Sequence, residues 1–149
     1  MIRSAEHFSF TVSKLEDTLH FFCDFLGLKA TPIMEIEVED VSKIIGMPGS
    51  SLRSSLVQVP GSLYIELIEY VKPKGKAVDM STSNPGIAHI ALAVDNIDRM
   101  YEDLSKKGVK FVSRPIQAPP LVGDGTWAVC YLRGPDGITV ELIEKQKIG

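Results

Sequence analysis

Four side chains in this sequence have the types and spacing to do chemistry together: His7, Glu66, His89 and Glu141. Each glutamate sits inside a strand-like apolar run, SLYIELIE over 62–69 and GITVELIE over 137–144. A carboxylate among apolar neighbours is costly to bury unless something pairs with it, and here the problem arises twice at equivalent places. A shared cation resolves it. Two imidazoles and two carboxylates form a mixed nitrogen and oxygen set that suits Zn, Ni, Co, Mn or Fe(II) better than copper(I) or an iron–sulfur cluster. One divalent metal ion per site is therefore expected, with coordination positions left for water or substrate oxygens. A single strand histidine would be ordinary; the duplicated pair is what points to metal. The third histidine, His20, falls among Phe21, Phe22 and Asp24 on a helical segment, where a surface or packing role is expected.

The elements that carry these residues occur in two copies. AEHFSFTVSKLEDTLHFFCDFLGLK (5–29) and IAHIALAVDNIDRMYEDLSKKGVK (87–110) align His7 with His89, Phe8 with Ile90, Phe10 with Leu92 and Val12 with Val94 at one constant offset. The tetrapeptide Glu-Leu-Ile-Glu closes both copies, at 66–69 and 141–144. One shared tetrapeptide would be weak evidence, but its position at the same end of two copies that also begin alike is not.

Within each copy the periodicity reads β, α, then three strands. Residues 6–12 and 88–94 alternate as half-buried strands, and 14–26 and 97–107 place apolar residues at helical spacing, as at Leu15, Leu19, Phe22 and Leu26. Ser13 and either Asp95 or Asn96 are candidate N-caps, and Gly27 and Gly108 candidate left-handed residues just past the helix ends. Further strands are expected at about 29–34, 52–59 and 62–70, and at 109–114, 126–133 and 138–144. Residues 38–45 are expected to form a short helix, and the Pro- and Gly-rich stretch 115–125 a loop. Both lie where lids over a cleft would lie. The fold class is α+β, a single domain over 1–149 built from βαβββ modules at about 5–70 and 86–145.

Alternation assigns each residue a face. His7 shares its face with Ser9 and Thr11, and His89 with Ala91 and Ala93; the opposite faces, with Phe8, Phe10 and Val12 or Ile90, Leu92 and Val94, are apolar enough to pack under helices. Glu66 goes with Tyr64 and Ile68, and Glu141 with Thr139 and Ile143. All four candidate ligands thus avoid the core face, whereas Glu69 and Glu144 point the other way and are expected to reach solvent at the strand ends.

The bulk properties exclude several classes. A chain of 149 residues that is 44% hydrophobic can bury one sizeable core, and a net charge of −3 without a basic block argues against nucleic acid as a partner. No apolar run approaches the roughly 20 residues that span a bilayer, and no signal-peptide core precedes the first strand, so no membrane partner and a cytoplasmic location are expected. Cys23 and Cys130 lack CxxC spacing and read as small buried hydrophobes.

The strings EHFSFTV, LYIELIEY, GIAHIALAVDNID and GPDGITVELIE resemble the vicinal oxygen chelate superfamily, which holds glyoxalase I, methylmalonyl-CoA epimerase, fosfomycin-modifying enzymes, bleomycin-binding proteins and extradiol dioxygenases. The resemblance covers essentially the whole chain. It implies that paired βαβββ modules form a U-shaped, partly open mixed sheet around a metal held by His7, Glu66, His89 and Glu141, a ligand pattern nearest to glyoxalase I and the epimerases. The implied chemistry is proton transfer next to a carbonyl of a small-molecule substrate, with Glu141 or Glu66 as base and Glu141 slightly favoured. A homodimer is expected on the same analogy.

Glyoxalase I usually anchors glutathione through an arginine on the first strand and an asparagine just after the fourth. Thr11 and Tyr70 stand near those places here, which argues against glutathione. The remaining cleft candidates, Ser9, Thr11, Ser54, Tyr64, Trp127, Tyr131 and Arg133, describe a mixed polar and aromatic pocket for a sugar-like or hydroxy-ketone metabolite. Arg133 is a candidate partner for an anionic group, with a plain surface arginine near a turn as the competing reading. Two rival functions share the fold: a fosfomycin-type transferase or dioxygenase that needs only three protein ligands, and a metal-free protein that sequesters a drug.

Overall fold

In the computed structural model, which describes residues 1–61 and 63–146, the chain divides into two units, Met1–Val78 and Asp79–Gly149. The first contains β1 (His7–Val12), α1 (Leu15–His20), β2 (Lys29–Ala30), β3 (Met34–Ile36), α2 (Glu39–Ile44), β4 (Ser51–Gln58) and β5 (Tyr64–Lys72). The second contains β6 (His89–Ala93), α3 (Ile97–Lys106), β7 (Lys110–Phe111), β8 (Ile116–Ala118), β9 (Thr126–Arg133) and β10 (Thr139–Gln146). Each unit has its own open five-stranded mixed sheet, ordered β1-β5-β4-β2 with β3 also on β4, and β6-β10-β9-β7 with β8 also on β9. The α+β class and the repeated plan are as expected. Ser62, the start of the strand read at 62–70, lies outside the described residues.

The two copies share one register. β1 runs parallel to β5 with His7 opposite Tyr64 and Ser9 opposite Glu66. β6 runs parallel to β10 with His89 opposite Thr139 and Ala91 opposite Glu141. The face away from the histidines is the core face: Phe10, Val12, Ile65 and Leu67 are buried in the first unit, and Ile90, Val140 and Leu142 in the second. The helices contribute Leu15, Phe22, Ile97 and Leu104 to the same cores.

Several local readings change. The loop expected over 115–125 contains β8, which pairs antiparallel with β9 through Ile116 and Val129. A three-residue edge strand is too short to show a period, and Pro115, just before it, is tolerated there because no ladder donor is needed. The strand expected at 29–34 is two pieces, β2 and β3, both antiparallel to β4. The helix expected over 14–26 is α-helical only to His20 and continues as a π-helical turn, Phe21–Phe25, closed by Leu26 N–H donating to the Phe21 carbonyl at 3.2 Å. The wider turn lets adjacent Phe21 and Phe22 both face the core, where each is buried. Gly27 and Gly108 adopt φ of 74° and 88° just past their helices, as expected of C′ residues. Asn96 is the N-cap of α3, its side chain accepting from Arg99 N–H at 2.8 Å, whereas the N-cap position of α1 is Lys14 and not Ser13.

The largest correction concerns Glu69 and Glu144, which do not end in solvent. Glu69 Oε2 accepts from the Leu15 N–H at 3.0 Å, and Glu144 Oε2 accepts from the Ile97 N–H at 2.8 Å. Each carboxylate thus satisfies an amide of the first helical turn that has no partner within its own helix, and its charge favours the positive end of the helix dipole. In the first unit Arg53 extends the link, with Nη1 on Glu69 at 3.0 Å and Nη2 on Glu16 of α1. The Arg53 hydrogen bond holds the Glu16 carboxyl below the ordinary carboxylate range.

Glu144→Ala is expected to cost about 1 kcal/mol, the usual value of a lost cap, or about 3–4 °C in unfolding midpoint for a chain of this size. Glu69→Ala should cost more, because Arg53 loses a partner as well; calorimetry of the two variants checks the order. A depressed carboxyl pKa stabilises above its unfolded value and loses that effect as pH falls through the folded one. Arg53→Met should therefore lower the midpoint at neutral pH, and the gap from the parent should narrow as the pH drops below 4.5, the ordinary value for Glu16.

Candidate metal and substrate site

Each unit brings one histidine and one glutamate together on the face away from its core. His7 Nε2 lies 3.4 Å from Glu66 Oε2, and His89 Nε2 lies 3.2 Å from Glu141 Oε2. The shared register explains the match: the glutamate stands two residues beyond the residue opposite the histidine, on the same side of the adjacent strand. The imidazoles are 45% and 39% exposed and the carboxylates 24% and 13%, so both pairs are partly exposed. Among the described residues no group of three or more His, Cys, Asp or Glu side chains gathers as a metal centre, so each unit presents one histidine–glutamate pair.

The surroundings of the two glutamates differ. Ser9 Oγ donates to Glu66 Oε2 at 2.8 Å, and the buried Ser54 donates to Oε1 at 3.2 Å. In the second unit the matching positions are Ala91 and Val129, and the residue opposite Glu141 is Tyr131, whose ring centroid lies 5.2 Å from that of His89. Desolvation, followed by the Glu141 charge, raises the Tyr131 pKa.

The other expected site residues fall as follows. Thr11 is exposed on the His7 face of β1, and Tyr64 is half-buried beside His7. Trp127 is on the His89 face of β9 with Lys145 Nζ 5.1 Å from its ring centroid. Arg133 is committed to its own unit, with Nη1 donating to Thr139 Oγ1 and, at 3.4 Å, to the carbonyls of Met80 and Gly137. It fastens the 80 segment to the Gly134-Pro135-Asp136-Gly137 turn, where a Cβ on Gly137 would come within 3.0 Å of Met80 Cβ. His20 is exposed and contacts Asp24 and Phe25. Lys145 was not anticipated as a site-face residue, although continuing the alternation from Glu141 through Ile143 reaches it. No helix among the described residues is long and apolar enough to cross a membrane.

Duplicated sheets of this order are the fold of a known class. The chain matches the Glyoxalase/Bleomycin resistance protein/Dioxygenase superfamily over residues 4–142 and belongs to it. A protein described as a probable lactoylglutathione lyase from Synechocystis sp. is 26% identical over 147 residues, covering 93% of this chain and 92% of that protein. A 2-epi-5-epi-valiolone epimerase from Actinomyces sp. is 25% identical over 146 residues, covering 94% and 78%. The lactoylglutathione lyase of Arabidopsis thaliana is 22% identical over 139 residues, and the chain spans only 43% of that protein's length. A crystal structure of a glyoxalase family protein from Bacillus cereus shares the fold, with a TM-score of 0.84 at 24% identity over 99% of this chain and 96% of that one.

Behind the site, Cys130 is buried on the core face of β9, and burial, then the charges of Asp98 and Glu141, push its thiol up to about 11. A thiol is a nucleophile only as thiolate. Cys130 should therefore resist alkylation in the native protein at mildly alkaline pH and react only on denaturation, with the half-buried Cys23 labelling first; peptide mapping by mass spectrometry reads the order.

Proposed function

We propose that the protein is a metal-dependent isomerase, epimerase or lyase of glyoxalase type, acting by proton transfer next to a carbonyl of a small oxygenated metabolite. The observation that carries this reading is the duplicated His–Glu pair, at 3.4 Å and 3.2 Å, on equivalent strands of the two units. The donor chemistry fits a divalent ion: His7 and His89 supply nitrogens, Glu66 and Glu141 supply oxygens, and each pair approaches through one nitrogen and one oxygen. In this reading the four side chains are the protein's donors to the divalent ion, and the functional assembly is a homodimer. When bound, such an ion stabilises the negative charge that builds on the substrate oxygens.

The protein's own groups do the rest. Glu141 takes the proton from the carbon beside the carbonyl and returns it to the same or a neighbouring carbon. Among the described residues its hydrogen-bond partner is His89, and its flanking positions are Ala91, Val129 and Tyr131, so fewer hydrogen bonds oppose its movement than oppose that of Glu66. Tyr64, Tyr131 and Trp127 supply apolar and aromatic surface for the substrate skeleton, and Thr11 supplies a hydroxyl for its oxygens. An epimerase and lactoylglutathione lyases among the relatives agree with this reaction class. Thr11 and Tyr70, where a glutathione anchor would need other side chains, favour a substrate free of glutathione.

Metal analysis after stringent dialysis should find one divalent ion per site; none would favour a drug-sequestering protein. With the metal-loaded protein in deuterated water, a hydroxy-ketone substrate should exchange its hydrogen next to the carbonyl. Glu141→Gln should slow that exchange by about 10²–10⁴-fold, the usual contribution of a general base. Glu66→Gln should weaken metal retention, and full activity in that variant would favour chemistry that uses three protein ligands.

A further inference from the structure

The two glutamates of the repeated tetrapeptide occupy the same place in their strands and are held differently. Both oxygens of Glu66 accept from hydroxyls on the strands that flank it, Oε2 from Ser9 of β1 at 2.8 Å and Oε1 from Ser54 of β4 at 3.2 Å. These contacts fix the rotation of the carboxylate plane, which a single hydrogen bond would leave free. Ser54 is 2% exposed, so turning Glu66 away would strand a buried hydroxyl without its acceptor, a loss of about 1–3 kcal/mol in general. An ionised carboxylate offers roughly four acceptor sites; the two serines use one on each oxygen, and His7 Nε2 lies 3.4 Å from Oε2. In the second unit Ala91 and Val129 stand where Ser9 and Ser54 stand in the first, and neither side chain can donate.

We infer that Ser9 and Ser54 are positioning residues that preset the Glu66 carboxylate for a divalent cation, a role the second unit does not duplicate. The inference rests on the metal-dependent reading proposed above. Glu66 is held ready by the polypeptide before any cation arrives, whereas the orientation of Glu141 depends on His89 and on the cation itself. Groups that orient a metal ligand typically contribute 10–100-fold to metal affinity, and that is the size of effect expected here.

The test is competition for Zn(II), and in parallel Ni(II), between the full-length apo-protein and a chromophoric chelator. Ser9→Ala combined with Ser54→Ala should weaken binding by about 10–100-fold, each single variant by less, while Ser9→Thr, which keeps the hydroxyl on the exposed strand face, should bind as the parent does. In a Glu66→Ala background the two serine substitutions should produce no further weakening, an outcome that a general loosening of the sheet would not give. Thermal unfolding of each apo-variant separates folding from ligation, and Ser9→Ala alone, at an exposed position, serves if the Ser54 variant does not fold. Parent-like affinity in the double variant, with Glu66→Ala still weakened, overturns the serine role and leaves the metal reading standing. If the parent binds neither ion, both fail together.

Discussion

The strand pleat in the tetrapeptide Glu-Leu-Ile-Glu is the constraint on which the rest of each unit depends. Two glutamates three residues apart must face opposite sides of a sheet. Glu66 and Glu141 turn to the histidine side, and Glu69 and Glu144 turn to the side covered by the helix. Each second glutamate accepts from the first free amide of the helix that follows the neighbouring parallel strand, so one short run of sequence ties the helix to the sheet and presents a second carboxylate on the other face. A shift of one residue in this strand would exchange the two faces and turn Leu67 or Leu142 out of the core. The recurrence of the whole tetrapeptide therefore has a mechanical origin in addition to a chemical one.

Around this common frame the two copies have diverged in what surrounds the carboxylates. The first unit invests in polar contacts: Ser9 and Ser54 at Glu66, and Arg53 bridging Glu69 to Glu16. The second replaces the serines with Ala91 and Val129, places Ala128 opposite Glu144, and sets Tyr131 beside the His89–Glu141 pair. Hydrogen bonds to a charged group are stronger than neutral ones and restrict it more. Equal backbone registers therefore carry a restrained carboxylate in one copy and a less restrained one in the other.

Much of this was legible in the sequence because it depends on local periodicity. Alternation alone put His7 with Ser9, Glu66 with Ile68, and the apolar residues beneath, and the repeat supplied the equivalences between copies. Asn96, Gly27 and Gly108 were readable because caps are local chemistry. What was not readable depends on partners distant in the chain. Nothing near Glu69 or Glu144 announces a helix amide 54 or 47 residues away, and the expectation of solvent followed from treating a strand end as an open edge. Arg133 was weighed between substrate and surface, but its partners include Met80, 53 residues distant. The π turn at Phe21–Phe25 and the short strand β8 escaped for the opposite reason, since each is too brief to establish a period.

The division of labour between the paired carboxylates also bears on how a duplicated half-set can become a catalyst. A cation bound by four equally rigid side chains would be a structural site, because no ligand could leave it without breaking contacts to the protein. A cation bound by four equally loose ones would pay the full entropy of ordering them. Under the proposed function, serine donors on Glu66 and non-donating Ala91 and Val129 beside Glu141 lie between these limits: one carboxylate is oriented by the fold, and the other would be left to exchange a cation for a proton. Under that function, Ala91 and Val129, which stand where Ser9 and Ser54 stand in the first unit and cannot donate, leave Glu141 the freer of the two carboxylates to take a proton.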